Sequence, residues 1–543
     1  MTSLEKLASL ICPNLEHNKE YYERLYAPRD LKEGERVTRF APSPTGFLHT
    51  GSLFAAFVCS KIAHDTNGIF YLRIEDTDTK REVKGSVDTL VNQLKLFNIS
   101  IDEGYGFNGK YGPYLQSARS DIYNAVIYDM ILKGQAYPCF CSQEKLDKVR
   151  EEQTFLKLRP GYYGKYAICR NLSIEEAIQK IENGEEYVVR FKSNGNHENH
   201  IIFHDEIRGD LSLSENDMDI VIRKGDGLPT YHFAHACDDH FMHTTHVIRG
   251  EEWLASAPIH YELFNTLGFE LPHYAHLPVI MKNDNGKRRK LSKRHDPEAS
   301  VDFFIQQGYP TDALLIYLCT IANSNFEEWH LANPDASIND FKLSFDKFSL
   351  DGALFDLEKI NNIAKDVIFK MDEKTLLNNV KEFAKEYDTN LHKLIEKDED
   401  KFIKIMNFGK NDSQPRKDYY KFSDIYEHIC YMDNDIYNTL EKEELPYDKS
   451  LIEQSCKLYI NDLKSNVEVN KDTYFAHLKE IARTLNFAMN KKDLKENGLT
   501  YMFSDFMSII RVGLTGRKNS FDLVDIILTI GKEEAIRRLN TCL

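Results

Sequence analysis

Residues 41–52, APSPTGFLHTGS, carry the residue types that suit the binding of a phosphate group. A short apolar stretch typical of a strand, residues 37–40, precedes them, and residues 53–63 have apolar side chains at helical spacing. Two prolines and Gly46 cannot continue a helix, so this segment must be a loop between the strand and the helix. The sequence thus predicts a strand, a proline-rich loop and a helix in succession.

Residues 49–52 fall at the first turn of that helix. There the backbone N–H groups lack helical partners, and the positive end of the helix dipole favours an anion such as a phosphate. His49 adds a donor that can follow charge on a phosphoryl oxygen, and Gly51 has no side chain to keep a base or sugar from the backbone. The alternative is an ordinary strand-to-helix turn with a surface histidine, because the pattern H-x-G is loose.

A second group of residues, KRRKLSKR at 287–294, follows turn-forming residues at 283–286. So much charge excludes a core segment and predicts a loop. One interpretation is a mobile arm that brings Lys290 and Lys293 onto a triphosphate, with Ser292 as a hydroxyl donor. Lysine suits that role because it is a compact charge that can follow a moving phosphate. The other interpretation is a solvated basic loop, the usual fate of a run of charge.

A second strand, residues 69–74, is predicted from its β-branched and aromatic side chains, and it ends at Glu75. Polar groups at the carboxyl end of a parallel strand lie where α/β sheets bind ligands. A salt bridge or a helix cap is the alternative role for Glu75. An amphipathic helix is predicted over residues 85–97. This alternation of strands and helices predicts a doubly wound α/β sheet.

The pattern changes between residues 114 and 219, where helices mix with short strands near 187–191 and 199–203. The mixture predicts an inserted α+β module rather than more of the first sheet. Buried-strand character returns at residues 220–222 and 247–249. We therefore expect the first domain to be discontinuous, with the insertion between its halves.

The ten cysteines are dispersed, which predicts reduced thiols rather than a disulfide framework. Inside the insertion, Cys139, Cys141 and Cys169 invite a zinc interpretation, since zinc commonly takes four Cys or His ligands. The asparagine two residues beyond Cys169 is a poor ligand, no histidine lies nearby, and Tyr163 or Tyr166 would complete the site only weakly. We expect ordinary buried cysteines here and no zinc.

Length and composition describe a globular protein of several domains. The chain of 543 residues is 42% hydrophobic and 28% charged. It is too long for one core, and roughly three or four domains follow. Residues 1–35 lack the apolar run of a signal peptide, and no apolar stretch is long enough to span a bilayer, so we expect a cytoplasmic protein. The net charge of −16 argues against indiscriminate nucleic-acid binding but leaves room for a local basic stripe that binds RNA.

The pairing of residues 41–52 with KLSKR at 290–294 resembles the two signature motifs of class I aminoacyl-tRNA synthetases. With further motifs between and beyond them, the chain resembles the bacterial-type glutamate–tRNA ligase family from about residue 37 to its end. The additional motifs are residues 71–78, 229–234, 238–240, 248–253, 355–359 and 521–539.

The resemblance implies an α/β fold: a Rossmann-like parallel-sheet catalytic domain with an α+β insertion, then an all-α anticodon-binding region. Bacterial-type members end in such helices. We expect an N-terminal extension at 1–35, outside the resemblance, the catalytic domain at 36–113 and 220–281, an acceptor-end-binding insertion at 114–219, a stem-contact region with the KLSKR loop at 282–348 and the helical region at 349–543.

The reaction of that family is the ATP-dependent attachment of L-glutamate to the 3′ end of tRNA(Glu) through a glutamyl-adenylate. By resemblance His49, Gly51 and Lys293 are catalytic, and Mg²⁺ accompanies ATP without a metal ligand from the chain. The ATP-binding residues are Ala41, Pro42, His49, Gly51, Ser52, Lys290, Ser292 and Lys293, and the glutamate-binding residues are Arg39, Ser43, Glu75, Tyr231 and Arg249. We expect a monomer that binds tRNA(Glu) and L-glutamate but no membrane.

Two guanidinium groups, Arg39 and Arg249, suit the side-chain carboxylate of glutamate, and Glu75 suits its ammonium group. The neutral amide of glutamine leaves buried charge uncompensated, so such a site rejects it. His235 stands where the family usually has asparagine, and we assign it no substrate contact. Two alternatives stay open: a ligase that also charges glutamine or glutamine tRNA, and a non-catalytic relative that kept the fold.

Overall fold

The computed structural model describes residues 2–44, 46, 48–78, 83, 85–292, 294–413, 415–465, 468–471 and 473–542. The chain divides into two compact units: the first contains Met1–Phe304 and Leu314–Leu357, and the second contains Ile305–Ala313 and Glu358–Leu543. Among the described residues, no helix combines the length and the apolar character that a membrane span requires.

The strands are β1 (Val37–Phe40), β2 (Ile69–Leu72), β3 (Glu103–Gly104), β4 (Ala136–Cys139), β5 (Val188–Phe191), β6 (His200–Asp205), β7 (Gly209–Ser214), β8 (Val221–Arg223), β9 (His246–Gly250), β10 (His273–Leu277), β11 (Met281–Asp284) and β12 (Lys287–Lys290). The helices up to the second unit are α1 (Ser3–Ile11), α2 (Lys19–Leu25), α3 (Thr50–His64), α4 (Ser86–Leu96), α5 (Ser120–Leu132), α6 (Gln143–Phe155), α7 (Ile174–Glu182), α8 (Tyr231–Phe241), α9 (Ala257–Leu267), α10 (Val301–Gln307), α11 (Thr311–Ala322) and α12 (Phe326–Ala332). The later helices are α13 (Leu357–Lys370), α14 (Glu373–Tyr387), α15 (Thr389–Lys397), α16 (Glu399–Met406), α17 (Ile425–Ile429), α18 (Asn434–Thr439), α19 (Lys449–Lys464), α20 (Tyr474–Thr484), α21 (Lys491–Glu496), α22 (Phe503–Thr515), α23 (Leu523–Ile530) and α24 (Lys532–Asn540).

Parallel strands form the centre of the first unit. β1 pairs with β2, from Val37 opposite Ile69 to Phe40 opposite Leu72, and β2 pairs with β3. β9 pairs in parallel with β10, and β10 with β6, whose antiparallel neighbour β7 forms the edge. The N–H of Thr245 donates to the carbonyl of Val37 at 3.0 Å and places β9 beside β1. The order β3-β2-β1-β9-β10 confirms the predicted parallel α/β sheet.

The strand order reverses between β1 and β9. From β1 the chain continues through α3 to β2 on one side, whereas from β9 it continues through α9 to β10 on the other. In an open α/β sheet a ligand crevice forms at this point, outside the carboxyl ends of the strands. α3 begins at Thr50, as the helix-periodic pattern predicts, and it packs on β1 and β2 because its apolar side chains, such as Leu53 and Ile62, are buried.

The inserted module contains a sheet in which β5 pairs antiparallel with both β4 and β8. The expectation that residues 220–222 return to the first sheet is therefore wrong, although residues 247–249 do lie in its strand β9. Conversely, β6 joins β10, with Asp205 opposite Tyr274. The residues of a short apolar strand predict that it is buried. They do not predict which strand it pairs with, because the pairing depends on the rest of the fold. The domain boundaries themselves stay a prediction.

The basic segment forms part of a hairpin and not the predicted loop. β11 and β12 pair antiparallel, with Met281 opposite Lys290. At the turn Asn285 and Gly286 have φ angles of 51° and 83°, and a two-residue turn with two positive φ angles matches the twist of a hairpin. Most side chains of β12 are exposed, so the exclusion of this segment from the core is confirmed.

The N-terminal segment packs on the first unit. α1 lies against α5 and α7, and the guanidinium of Arg223 donates to the carbonyl of Ile11. Arg29 forms a two-pronged pair with Glu103, at 2.9 and 3.0 Å. Each of these contacts joins the segment to residues far along the chain.

The named elements of the second unit are all helices in the part of the chain that the structure describes, and its apolar side chains form one core that includes Val380, Tyr459 and Ile510. α14 covers residues 373–387. α23 and α24 are separated at Gly531, whose φ of 87° and ψ of 152° do not fit a helix.

Candidate active site

A cavity of about 950 Å³ lies at the carboxyl ends of β1 and β9, where the strand order reverses. Most of the predicted site residues line it: Arg39, Ala41, Pro42, Ser43, His49, Gly51, Ser52, Glu75, Tyr231, Arg249 and Lys290. Ser292 does not line it, and Lys293 lies outside the described residues. The loop before α3 and the basic hairpin therefore face one cavity. The roles given to these residues stay predictions.

His49 caps the start of α3. The N–H of Gly51 donates to His49 Nδ1 at 2.9 Å. A neutral imidazole whose Nδ1 accepts a hydrogen bond carries its proton on Nε2. The backbone at the helix start thus sets the tautomer of His49, with the proton on Nε2.

Residues that follow the basic hairpin hold this turn in place. Thr50 Oγ1 donates to the carbonyl of Glu298 at 2.9 Å, and the N–H of Val301 donates to the carbonyl of Leu48 at 3.1 Å. Between these contacts, Ser300 forms an antiparallel bridge with His49. The first motif is therefore joined directly to the segment that follows the second motif.

Asp296 anchors the basic hairpin. Arg289 donates to its two carboxylate oxygens at 2.6 and 2.8 Å, and these hydrogen bonds lower the pKa of the Asp296 carboxyl. Lys290 instead reaches the cavity wall, where its Nζ lies 3.3 Å from Glu252 Oε1. Its side chain is 56% exposed, so the ammonium group keeps access to the cavity.

Arg39 is buried beside a carboxylate that the sequence motifs did not assign to the site. Its Nε donates to Asp239 Oδ1 at 3.2 Å, and Arg73 Nη1 donates to the same oxygen at 2.7 Å. Burial alone would raise the pKa of Asp239, but Arg39 and Arg73 bring that pKa well below its ordinary value. Asp239 therefore stays charged and fixes one edge of the Arg39 guanidinium.

Arg249 is held by histidines that sequence patterns also missed. Its Nε donates to His276 Nε2 at 3.0 Å, and its Nη2 donates to His260 Nδ1 at 3.2 Å. Nη1 is buried and has no hydrogen-bond partner among the described residues. The hydrogen bonds to the two histidines therefore hold the guanidinium in one orientation at the cavity wall.

Glu75 lines the same cavity and accepts a hydrogen bond from Arg73 Nη2 at 3.1 Å. Burial, partly offset by Arg73 and Arg39, raises the pKa of the Glu75 carboxyl to about 7. The ring of Tyr231 packs against that of Trp253 at a tilt of 32°, with ring centroids 4.2 Å apart, and both residues line the cavity.

His235 is fully buried and lies behind the cavity wall. Its Nε2 lies 3.0 Å from the hydroxyl of Tyr274, and its Nδ1 lies 2.8 Å from Asp239 Oδ2. Burial lowers the pKa of His235 to about 3, so the ring is neutral. This histidine supports Asp239 and does not itself reach the cavity.

The three thiols of the insertion lie together. Cys141 Sγ is 3.6 Å from Cys169 Sγ, and the sulfur atoms of all three fall within 4.8 Å of one another. The hydroxyl group at this cluster belongs to Tyr162, 3.3 Å from Cys139 Sγ, rather than to Tyr163 or Tyr166. The expectation of no zinc here stays a prediction.

The site combines a helix start that suits phosphate with buried guanidinium groups, at the switch point of a parallel sheet. The profile of the family described as tRNA synthetases class I (E and Q), catalytic domain, matches residues 35–362. An anticodon binding domain profile matches residues 375–543. The chain therefore belongs to the class I aminoacyl-tRNA synthetases of the glutamate and glutamine branch.

Within this branch the chain is similar to proteins named glutamate–tRNA ligase. It is 48% identical to the ligase of Clostridium perfringens (strain 13 / Type A), with 98% of this chain and 99% of the relative covered. It is 45% identical to that of Clostridium beijerinckii, with 99% of each covered. The solved structure of a glutamate tRNA ligase from Elizabethkingia meningosepticum, in complex with its amino acid, has a TM-score of 0.73 at 28% identity, covering 94% of this chain and 99% of that one.

Proposed function

We propose that this chain attaches L-glutamate to the 3′ end of tRNA(Glu), with ATP as the source of energy. The observation that carries the proposal is similarity, over nearly the whole length, to proteins named glutamate–tRNA ligase. The cavity adds support because it suits both small substrates side by side: the start of α3 suits a nucleotide phosphate, and Arg39 with Arg249 suits a carboxylate.

In the first step the α-carboxylate of glutamate attacks the α-phosphorus of ATP, and pyrophosphate leaves. The chain supplies position and charge for this step rather than a nucleophile. His49 donates a hydrogen bond from Nε2 to a phosphoryl oxygen. Lys290 and Lys293 stabilise the negative charge of the leaving pyrophosphate. Mg²⁺, carried on the triphosphate, neutralises part of its charge.

The side chain of glutamate is recognised by guanidinium groups. Arg249 and Arg39 both line the cavity and contribute positive charge that stabilises the substrate carboxylate. The ionised Glu75 receives the substrate ammonium group. Glutamine offers a neutral amide in place of the carboxylate and leaves the buried charge uncompensated, so the site rejects it.

In the second step a ribose hydroxyl at the tRNA 3′ end attacks the carbonyl carbon of glutamyl-adenylate, and AMP leaves. The bond to the phosphate breaks as the ester to the ribose forms. The site again positions the two reactants and contributes no covalent intermediate of its own.

The helical unit contains a groove of about 660 Å³ that we assign to an anticodon base. Phe475 and Phe503 contribute aromatic rings, and Arg511 and Lys518 contribute positive charge. Aromatic rings stack on bases irrespective of sequence, and cations bind the backbone. The basic segment at residues 415–417 is a weaker candidate for contact with RNA, because Lys417 is already paired with Asp366.

We propose a monomer that acts in the cytoplasm.

Exchange of labelled pyrophosphate into ATP tests the proposal. Four reactions are compared: glutamate or glutamine, each with and without tRNA(Glu). We expect exchange with glutamate and not with glutamine, and the family resemblance predicts that it requires tRNA. Exchange with both amino acids would favour the broader ligase, and no exchange with glutamate and tRNA(Glu) would refute the proposal.

A further inference from the structure

Arg249 is fixed from behind by a histidine whose own orientation is set by a buried carboxylate. His276 Nδ1 lies 2.6 Å from Asp205 Oδ2, and Arg249 Nε donates to His276 Nε2 at 3.0 Å. Both members of the His276–Asp205 pair are fully buried. The three side chains form a line that ends at the glutamate side of the cavity.

The hydrogen bonds of this line permit only one tautomer. A guanidinium has donors only, so His276 Nε2 must be the acceptor, and the ring proton must sit on Nδ1, facing Asp205. Burial lowers the pKa of His276, which keeps the ring neutral despite the neighbouring carboxylate. The pair therefore offers an acceptor in a fixed position.

Asp205 is itself rigidly placed. Its Oδ1 accepts from the N–H groups of Ile207 and Arg208 at 3.1 and 2.9 Å, and its Oδ2 also accepts from the N–H of His276 at 3.1 Å. It ends β6, which pairs with β10 at Tyr274. The carboxylate thus links the β6–β7 hairpin to the strand that carries His276.

We propose that His276 and Asp205 are positioning residues for glutamate: they hold the Arg249 guanidinium in the orientation in which it receives the substrate carboxylate at the cavity. This inference rests on the proposed role of Arg249 in glutamate binding. The contact with His260 at Nη2 fixes a second edge of the guanidinium of Arg249, a residue that lines the cavity.

A matched pair between β10 and the residue that follows β6 serves as a control. His273 Nδ1 lies 2.8 Å from Glu206 Oε1, but the side chain of His273 is 61% exposed. Neither residue lines the cavity. Substitution of His273 thus removes a histidine–carboxylate pair from β10 without touching Arg249.

The experiment measures the KM for glutamate and the KM for ATP in tRNA-dependent pyrophosphate exchange. We expect His276→Leu to raise the glutamate KM about tenfold or more while the ATP KM stays within about twofold, since a hydrogen bond to a charged group is lost at one substrate only. His276→Gln, which keeps an acceptor for Arg249, should recover much of the loss. His273→Gln should leave both constants unchanged.

A second variant protects the test from a folding defect at position 276. In Asp205→Asn an amide N–H₂ replaces one carboxylate oxygen, and it faces N–H donors in either orientation of the amide. His276 therefore loses its fixed tautomer. We expect the glutamate KM to rise in this variant as well. An unchanged glutamate KM in both His276→Leu and Asp205→Asn would overturn the proposal. Equal increases in the KM for glutamate and the KM for ATP would also overturn the proposal, because they would indicate a general structural role for these residues.

The Arg249→Gln variant separates the inference from the function on which it rests. If His276 acts through Arg249, adding His276→Leu to Arg249→Gln should cause no further loss. Additive losses would refute the positioning role alone. A normal glutamate KM in Arg249→Gln by itself would instead refute the proposed role of Arg249.

Discussion

Gly51→Ala should separate catalysis from stability, because it acts on the orientation of one ring. Gly51 lies in the first turn of α3 and donates its N–H to His49 Nδ1. A Cβ at this position would lie 3.2 Å from that same Nδ1, closer than an ordinary contact. The His49 ring must therefore move by a few tenths of an ångström and turn its Nε2 donor away.

The two expected effects have opposite signs. Alanine is more favourable than glycine in a helix by up to about 1 kcal/mol, and φ at Gly51 is not positive, so the free energy of unfolding should stay level or rise. Displacing one donor that stabilises transition-state charge should lower the rate of adenylate formation by roughly 10- to 100-fold.

Pyrophosphate exchange at saturating ATP and glutamate measures the rate, and thermal unfolding of the same sample measures stability. Placing Gly51→Ala on a His49→Ala background is the control, since a side chain that ends at Cβ removes the clash and alanine at position 51 should then add little. A rate within about twofold of the parent for Gly51→Ala alone, at unchanged stability, would refute the reasoning.

Three further predictions concern the substrates. Arg249→Gln should lower kcat/KM for glutamate by about 10²-fold or more with little change in the ATP KM, because a buried charged partner is lost; kinetics in both substrates check this. Since burial raises the pKa of Glu75 to about 7, the fraction ionised grows with pH, and the glutamate KM should fall between about pH 6 and 8. Glu75→Gln should remove that pH dependence. A glutamate KM that changes equally with pH in the parent protein and in Glu75→Gln would contradict the prediction. Lys293→Ala should fold normally but lose on the order of 10²-fold in the exchange rate, and near-normal exchange would exclude its role.

Local sequence patterns predicted the elements that depend on local physics. The prolines and Gly46 end any helix, so the loop before α3 and the helix start at residue 50 followed from residue type alone. The hairpin of β11 and β12 was missed because charge on every residue of β12 hid the alternation that marks a strand. Asn285 and Gly286 carried the turn signal, but they were assigned to a loop.

The supports of the site could not be predicted from the sequence in this way. Arg39 and Asp239 are 200 residues apart, and Asp205 and His276 are 71 residues apart. Such contacts depend on which strands become neighbours, and periodicity within a strand does not specify its neighbour. Motifs therefore pointed to the residues that face the cavity, whereas the residues that hold them became visible only in three dimensions.

The contacts of the N-terminal segment set an order of events during synthesis. Arg29 can contact Glu103 only after Glu103 has left the ribosome. Ile11 can contact Arg223 only after more than two hundred further residues have been translated. The helices α1 and α2 are too short to be stable alone in water. This segment is thus made before its partners in the unit, and its apolar face stays uncovered and open to aggregation until they emerge.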